Sequence, residues 1–298
     1  MSRLRAGTLL FLFMAFTVPL MPLQALFVTA WPWAARRFPH WYHRQVCRLI
    51  GVRLHIEGAV AQDRPVLLIS NHTSWLDIPV LSAVAPVSFV AKNEVGTWPF
   101  VSWLAKLQRS VFVDRSRRAA AGETASEIAQ RLNAGDAIVL FAEGTSSDGN
   151  RVLPFLSSLF GAVMQSVEAT GAGSEQGSAS RVAVQTLAVV YTHHHGVPFS
   201  REQRPHVGWY GDMEMTSHAW QVLGSGPLDV TIHISPPVPL DAFAGRKDLA
   251  QASERQVREG VVRILRGRGP EDALEVTEIR HKASRTAPKS AAASDKWR

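Results

Sequence analysis

Cysteine is almost missing from this chain: Cys47 is the only one in 298 residues. A single thiol builds no disulfide framework and supplies no spacing for a zinc site. No Gly-x-Gly-x-x-Gly fingerprint and no Walker A loop occurs, so nucleotide binding has no basis in the sequence. No Gly-x-Ser-x-Gly elbow occurs either, which removes the usual strand-borne serine nucleophile. Zinc-finger spacing, RNP-type aromatic motifs and internal repeats are also absent, so nucleic acid is not the expected partner. Yet the chain is basic, with a net charge of +7 and a pI of about 10.1. That excess suits an anionic lipid surface or an acidic substrate.

Charge is missing too from Ala6 to Ala35. This stretch is long enough to span a bilayer, and no clean small-residue cleavage site marks it as a removable signal. Pro19 and Pro22 divide it into two apolar halves of about a dozen residues, each too short to span alone. Both flanks are basic, with Arg3 and Arg5 before and Arg36, Arg37, Arg44 and Arg48 after. A single span would put one basic flank on the wrong side. The expectation is a kinked helical hairpin that enters one leaflet and returns, with a tilted single span as the alternative. Trp31, Trp33 and Trp41 near its exit suit a membrane–water interface.

From about Gly51 the pattern turns to alternating strands and helices. Strands are expected over 52–58, 64–70, 87–92, 109–114, 136–142, 182–191, 206–211 and 228–235. Helices are expected over 75–84, 97–107, 117–134, 155–169 and 248–267. Alternation of this kind predicts βαβ units, hence an α/β fold with a mostly parallel central sheet flanked by helices, preceded by the N-terminal apolar membrane element. The expected division is a membrane-anchoring element over 1–35, an α/β domain over 36–270 and a basic, disordered tail over 271–298. The Gly- and Ser-rich segment 170–180 reads as a loop.

The richest block is Asn71-His72-Thr73-Ser74-Trp75-Leu76-Asp77, directly after the apolar run 65–70. It places a histidine and a carboxylate just past a strand end, where open α/β sheets hold their chemistry. A carboxylate partner makes His72 an oriented general base. On one ideal helix the two residues would diverge by about 140°. They meet only if His72 lies on the entering loop and Asp77 in the first helical turn. The plainer reading is that Ser74-x-x-Asp77 is a capping box. A second block, Val111-Phe112-Val113-Asp114-Arg115, ends a strand in a charge pair whose arginine suits an anionic headgroup or a mere surface pair. In the third block, Phe141-Ala142-Glu143-Gly144-Thr145-Ser146-Ser147-Asp148-Gly149-Asn150-Arg151, a buried strand opens into a loop. Gly144 permits close backbone approach, and the hydroxyls and amides after it suit an anion. A fourth, apolar block over 182–190 reads as a wall of the site, or as plain core.

In order and spacing, His72-x4-Asp77, Phe112-Val-Asp114-Arg115, Phe141-x-Glu143-Gly144-Thr145 and the later apolar strand resemble the four blocks of the glycerolipid acyltransferases, in particular the 1-acylglycerol-3-phosphate acyltransferase branch. The resemblance covers roughly residues 35–240. It implies that His72 takes the proton from a lysolipid hydroxyl, that Asp77 orients the imidazole, and that the hydroxyl oxygen attacks the thioester of acyl-CoA or acyl carrier protein. It implies no cofactor and no metal. Asp114, Arg115, Glu143, Gly144, Thr145, Ser146 and Arg151 are the expected acceptor-binding set. The first acceptor implied is 1-acyl-sn-glycerol 3-phosphate, giving phosphatidic acid. The expected location is the inner membrane with the catalytic domain facing the cytoplasm, among membrane lipids.

Two positions depart from that pattern. The family commonly has Arg after Glu-Gly-Thr, where this chain has Ser146, and a Pro in the fourth block where this chain has Thr186. Arg151 or Arg115 would then have to replace the lost cation, or the acceptor lacks a phosphomonoester. Bacterial lyso-ornithine lipid acyltransferases are similar in these respects, including the Ser-Asp-Gly-Asn-Arg continuation over 147–151, and supply the alternative acceptor. A non-catalytic lipid-binding protein and a thioester hydrolase on the same fold are the remaining alternatives. His193, His194 and His195 are not expected to bind one metal, because neighbours on a strand point to opposite faces.

Overall fold

The computed structural model describes residues 3–113, 118–161, 164 and 182–269. Asp114, Arg115, the whole of segment 170–180 and the expected tail lie outside the described residues. Two helices open the chain, α1 (Arg3–Ala30) and α2 (Pro32–Ile50). The expected break at Pro19 and Pro22 is absent: α1 runs through both prolines, and the reversal falls at Trp31. Each proline removes one backbone hydrogen bond. Packing of α1 onto α2 holds the helix together across them, helped by the 2.6 Å hydrogen bond between Thr17 and Tyr42. The expected boundary at residue 35 likewise falls inside α2. That helix is amphipathic: Val46, Cys47 and Ile50 are buried while Arg37, Arg44 and Arg48 are exposed.

Then come β1 (Val52–Glu57), β2 (Val66–Ser70), α3 (Asp77–Val84), β3 (Val87–Lys92), α4 (Val101–Leu107), β4 (Val111–Val113), α5 (Arg118–Asn133) and β5 (Ala137–Phe141). The chain continues through β6 (Ala183–His194), β7 (Val197–Pro198), α6 (Met215–Ser225), β8 (Leu228–Ile234), β9 (Val238–Pro239) and α7 (Arg246–Leu265). They form one sheet in the order β1-β8-β6-β2-β5-β3-β4, with β7 and β9 pairing the flanks of β6. β6, β2, β5, β3 and β4 run parallel; β8 reverses against β6, and β1 runs with β8. The expected mostly parallel α/β sheet is therefore present.

All five residues of β2 are buried, as a strand covered on both faces requires. Leu68, Val139 and Leu187 point to the face covered by α2, α3 and α6, whereas Leu67, Ile69, Ile138 and Leu140 point to the face of α5 and α7. Two expectations fail locally. Residues 206–211 form no strand: a short 3-10 turn at Arg204–His206 leads into an irregular stretch. There the Trp209 amide goes to the Thr73 carbonyl at 2.9 Å instead of joining a ladder. Helix α6 was not expected. Its cap is Glu214, whose carboxylate accepts from the Ser217 amide at 2.9 Å.

Helix α7 reaches the sheet through Gly260. A Cβ there would lie 2.8 Å from the Ala188 Cβ on β6, a distance real contacts do not tolerate. Gly260→Leu should therefore destabilise by about 1–3 kcal/mol through overpacking. That outweighs the ~0.8–1 kcal/mol by which glycine disfavours a helix. Thermal melts of the detergent-solubilised protein will read the difference.

Candidate active site

The C-terminal ends of β2, β5 and β3 converge on one rim, and the sequence motifs sit there. His72 leaves β2 on a loop and Asp77 begins α3, as their spacing requires. The His72 Nδ1 lies 2.8 Å from Asp77 Oδ2. The same Oδ2 accepts the amides of Thr73 at 2.7 Å and Ser74 at 3.0 Å. Its twin Oδ1 accepts the Tyr191 hydroxyl at 2.8 Å. Only half of the expected capping box forms: Asp77 reaches back to the Ser74 amide while also holding the imidazole, but the Ser74 hydroxyl makes no hydrogen bond with a described residue. Asp77 is fully buried, and four donors with a helix N-terminus compensate for its desolvation.

With Nδ1 engaged, Nε2 is the free nitrogen of His72; no described residue contacts it by hydrogen bond. The ring stacks on Phe141, centroids 4.0 Å apart. The backbone around it is pinned as well. Asn71 bonds β6 twice, to the Val189 carbonyl at 2.9 Å and amide at 2.8 Å. The His72 carbonyl accepts the Ser147 amide at 2.9 Å. The Ser146 hydroxyl donates to the Trp209 carbonyl. Gly144 takes a φ of 73°, which lets the chain turn sharply at the end of β5.

His72 borders a cavity of about 730 Å³ whose lining is overwhelmingly apolar. It is walled by Leu10, Met14, Thr17 and Gln24 of α1, by Tyr42 and Val46 of α2, and by Trp75 and Ile78 near the histidine. Gly144, Thr145 and Ser146 also border it. The Gln24 amide closes the wall between α1, α2 and α4, donating to Ala35 O at 3.1 Å and Leu107 O at 2.8 Å.

Several expected site residues fall elsewhere. Glu143 stands behind the rim, buried, its carboxyl accepting the His72 amide in a long 3.4 Å contact. Arg151 is exposed and does not border the cavity. The block over 182–190 does not line it either; β6 acts through Val189 and through Tyr191, one residue beyond that block. Tyr191 was missed, although a tyrosine after the apolar run Leu187–Val190 of a buried strand announces a hydroxyl in need of a partner. Trp209 was missed as an anchor of both the Thr73 and the Ser146 loops.

Burial pushes the Glu143 carboxyl up to about 8; the His72 and Leu153 amides pull it down, and the nearby Asp77 charge pushes it further up. Because its ordinary value is 4.5, the folded protein keeps a proton across that window that the unfolded chain has released. Stability should therefore fall as pH rises from about 4.5 through about 8. Glu143→Gln keeps the neutral shape and should flatten that slope in pH-stepped thermal melts. An unchanged slope would locate the proton on another group.

The acyltransferase family model matches residues 51–190, the span that holds the histidine, the carboxylates and their strands. A lyso-ornithine lipid O-acyltransferase from Brucella abortus is 46% identical over 254 residues, covering 85% of this chain and 92% of that one. One from Rhizobium meliloti is 41% identical over 249 residues, 84% of this chain and 83% of that one. The crystal structure of the 1-acyl-sn-glycerophosphate (LPA) acyltransferase PlsC from Thermotoga maritima superposes with a TM-score of 0.62. At 19% identity, over 88% of this chain and 94% of that one, it shares the fold. With relatives this similar over nearly their whole length, the chain belongs to the acyltransferase family and is an acyltransferase enzyme.

Proposed function

We propose that this enzyme moves a fatty acyl group from a thioester donor, acyl-CoA or acyl carrier protein, to the free hydroxyl of lyso-ornithine lipid. The observation that carries the chemistry is His72: its Nδ1 is fixed by Asp77, and its open Nε2 belongs to a ring bordering the apolar cavity. Nε2 takes the hydroxyl proton as the oxygen bonds to the thioester carbonyl carbon. The tetrahedral intermediate then expels the thiolate, breaking the C–S bond, and the imidazolium returns the proton to sulfur. Asp77 stabilises that imidazolium and fixes the tautomer, with Tyr191 steadying its second oxygen. No acyl-enzyme and no cofactor enter. On the cavity wall, the Thr145 hydroxyl and the Thr145 and Ser146 amides are the donors for the oxyanion or the acceptor, since the Gly144 amide and the Ser146 hydroxyl are spent on Phe141 and Trp209.

The choice of acceptor rests on Ser146 and on the relatives. A serine stands where phosphate-directed members of the family commonly carry Arg, and this serine is committed to the Trp209 carbonyl. The two relatives described above are named for lyso-ornithine lipid. The apolar cavity takes a fatty chain. α1 is long and apolar enough to cross a membrane, and its large side chains Leu4, Phe11, Val18 and Leu26 are exposed. On this reading α1 is seated in the inner membrane and the α/β domain faces the cytoplasm, where both thioester donors are found. The basic excess favours anionic lipid and an acidic carrier alike.

The test is acyl transfer by membranes containing the enzyme or its His72→Ala variant. Lyso-ornithine lipid and 1-acyl-sn-glycerol 3-phosphate are offered separately. Removal of the base should cut turnover about 10²–10⁴-fold, with membrane binding and thermal melting unchanged. His72-dependent product from the ornithine lipid supports the reading. Product from the phosphate lipid alone would replace the acceptor. Full activity of His72→Ala would sink the mechanism.

A further inference from the structure

Helix α6 walls the cavity with Met215, Ala219 and Leu223, spaced at four residues and so on one face. A side-chain hydrogen bond joins this helix to the catalytic loop. Trp75 Nε1 donates to His218 Nδ1 at 3.0 Å, across 143 residues of sequence. Trp75 stands three residues after His72 and borders the same cavity. His218 is buried, with 5% exposure. The bond fixes the state of its ring. An indole N–H only donates, so Nδ1 must offer a lone pair, and the neutral ring carries its proton on Nε2. Burial holds the His218 pKa below its ordinary 6.5, although the backbone of His206 and Gly208 pulls it upward. That backbone leads into Trp209, whose amide goes to the Thr73 carbonyl at 2.9 Å. His218 thus sits where α6, the 206–209 stretch and the catalytic loop meet.

We infer that His218 is a positioning residue for acyl transfer: it accepts the Trp75 indole N–H and so holds in place the ring that walls the cavity beside His72. The inference rests on the reading of His72 as the base, and not on which lipid is the acceptor. The Trp75 backbone is already fixed at the turn into α3, where its carbonyl accepts the Ile78 amide at 3.3 Å. What stays free is rotation of the indole about its side-chain torsions, and the bond to His218 stops that rotation. An indole nitrogen in so apolar a wall needs an acceptor, and a neutral imidazole supplies one without bringing a charge to the cavity. The thioester carbonyl and the attacking hydroxyl must meet next to His72 Nε2. A wall displaced there costs orientation, hence rate, while the fatty chains still bury along the rest of the cavity.

The experiment is steady-state kinetics on membranes carrying wild type, His218→Phe, His218→Gln, Trp75→Phe or the His218→Phe/Trp75→Phe double variant, with His72→Ala beside them. Donor and acceptor are the pair that wild type turns over in the test above. His218→Phe and Trp75→Phe should each lower kcat about tenfold with both KM values nearly unchanged. The double variant should lose no more than either single one, because each removes the same bond. His218→Gln presents an acceptor oxygen and should recover most of the loss, which a residue that only fills space would not do. A second measurement does not depend on how His218→Phe folds. In the detergent-solubilised protein, the Trp75 indole N–H resonance is assigned by its loss in Trp75→Phe. It should move in His218→Gln, where the acceptor changes from a ring nitrogen to an amide oxygen. Losses that multiply in the double variant, losses confined to KM, equal losses in His218→Gln and His218→Phe, or an unmoved indole resonance would each overturn the positioning role and leave His72 as the base. Full activity of His72→Ala would overturn the base reading, and this inference with it.

Discussion

The buried carboxylate of Asp77 is the constraint on which the rest of the site depends. An ionised carboxylate moved out of water without partners costs far more than a domain's net stability. Here the partners come from two separate parts of the chain, the loop after β2 and the Tyr191 hydroxyl on β6, and they meet the carboxylate at the start of α3. Satisfying one residue therefore fixes the relation of a loop, a helix and a strand 114 residues away. Asn71 repeats the logic one step earlier, extending the β2–β6 pairing past the end of β2 with its side chain. A loop anchored this way does not wander, so in the proposed mechanism the imidazole needs no reorganisation before it takes a proton.

Two carboxyl groups flank His72, and their surroundings set them apart. Asp77 is met by four donors, whereas Glu143 receives a long contact from the His72 amide and keeps one buried oxygen without a hydrogen-bond partner among the described residues. Burial therefore wins at Glu143 and holds it protonated near neutrality. The difference has a use. A second anion behind the histidine would compete with Asp77 for the imidazolium; a neutral carboxyl ties the Glu143 loop to the His72 backbone without that competition.

The sheet and the His72–Asp77 pair were legible because each rests on a local signal. Apolar runs such as 66–70 and 137–141 stand between turn residues, and a five-residue spacing has one geometric solution at a strand-to-helix junction. What was not legible depends on contacts distant in sequence. Pro19 and Pro22 read as a break because proline disfavours a helix interior; nothing local reveals that α2 packs alongside and holds α1 straight. Trp209 lies in a stretch that looks like a strand, yet its backbone is spent on Thr73 and Ser146. Arg151 looked like a substitute cation by proximity in sequence to Glu143, but the turn at Gly149 and Asn150 leaves it exposed and away from the cavity.

α1 does two jobs with two different faces. One face carries Leu10, Met14, Thr17 and Gln24 against the cavity, at gaps of four, three and seven residues that keep them on one side. The other exposes Leu4, Phe11 and Val18, which need lipid rather than water. On the proposed membrane seating, the wall of the cavity is the helix that faces lipid, and a lipid chain would pass from bilayer to site between apolar surfaces without being desolvated twice. Only the headgroup must leave its surroundings, and it meets polar protein at the rim where β2, β3 and β5 end. Selectivity between lipids that share the same tails is then confined to that rim, since the tails bury against equivalent surface whichever headgroup they carry. On the proposed reading that division lets one fold serve several acceptors: the histidine and its carboxylate stay fixed, and side chains at the strand ends set the lipid that is acylated.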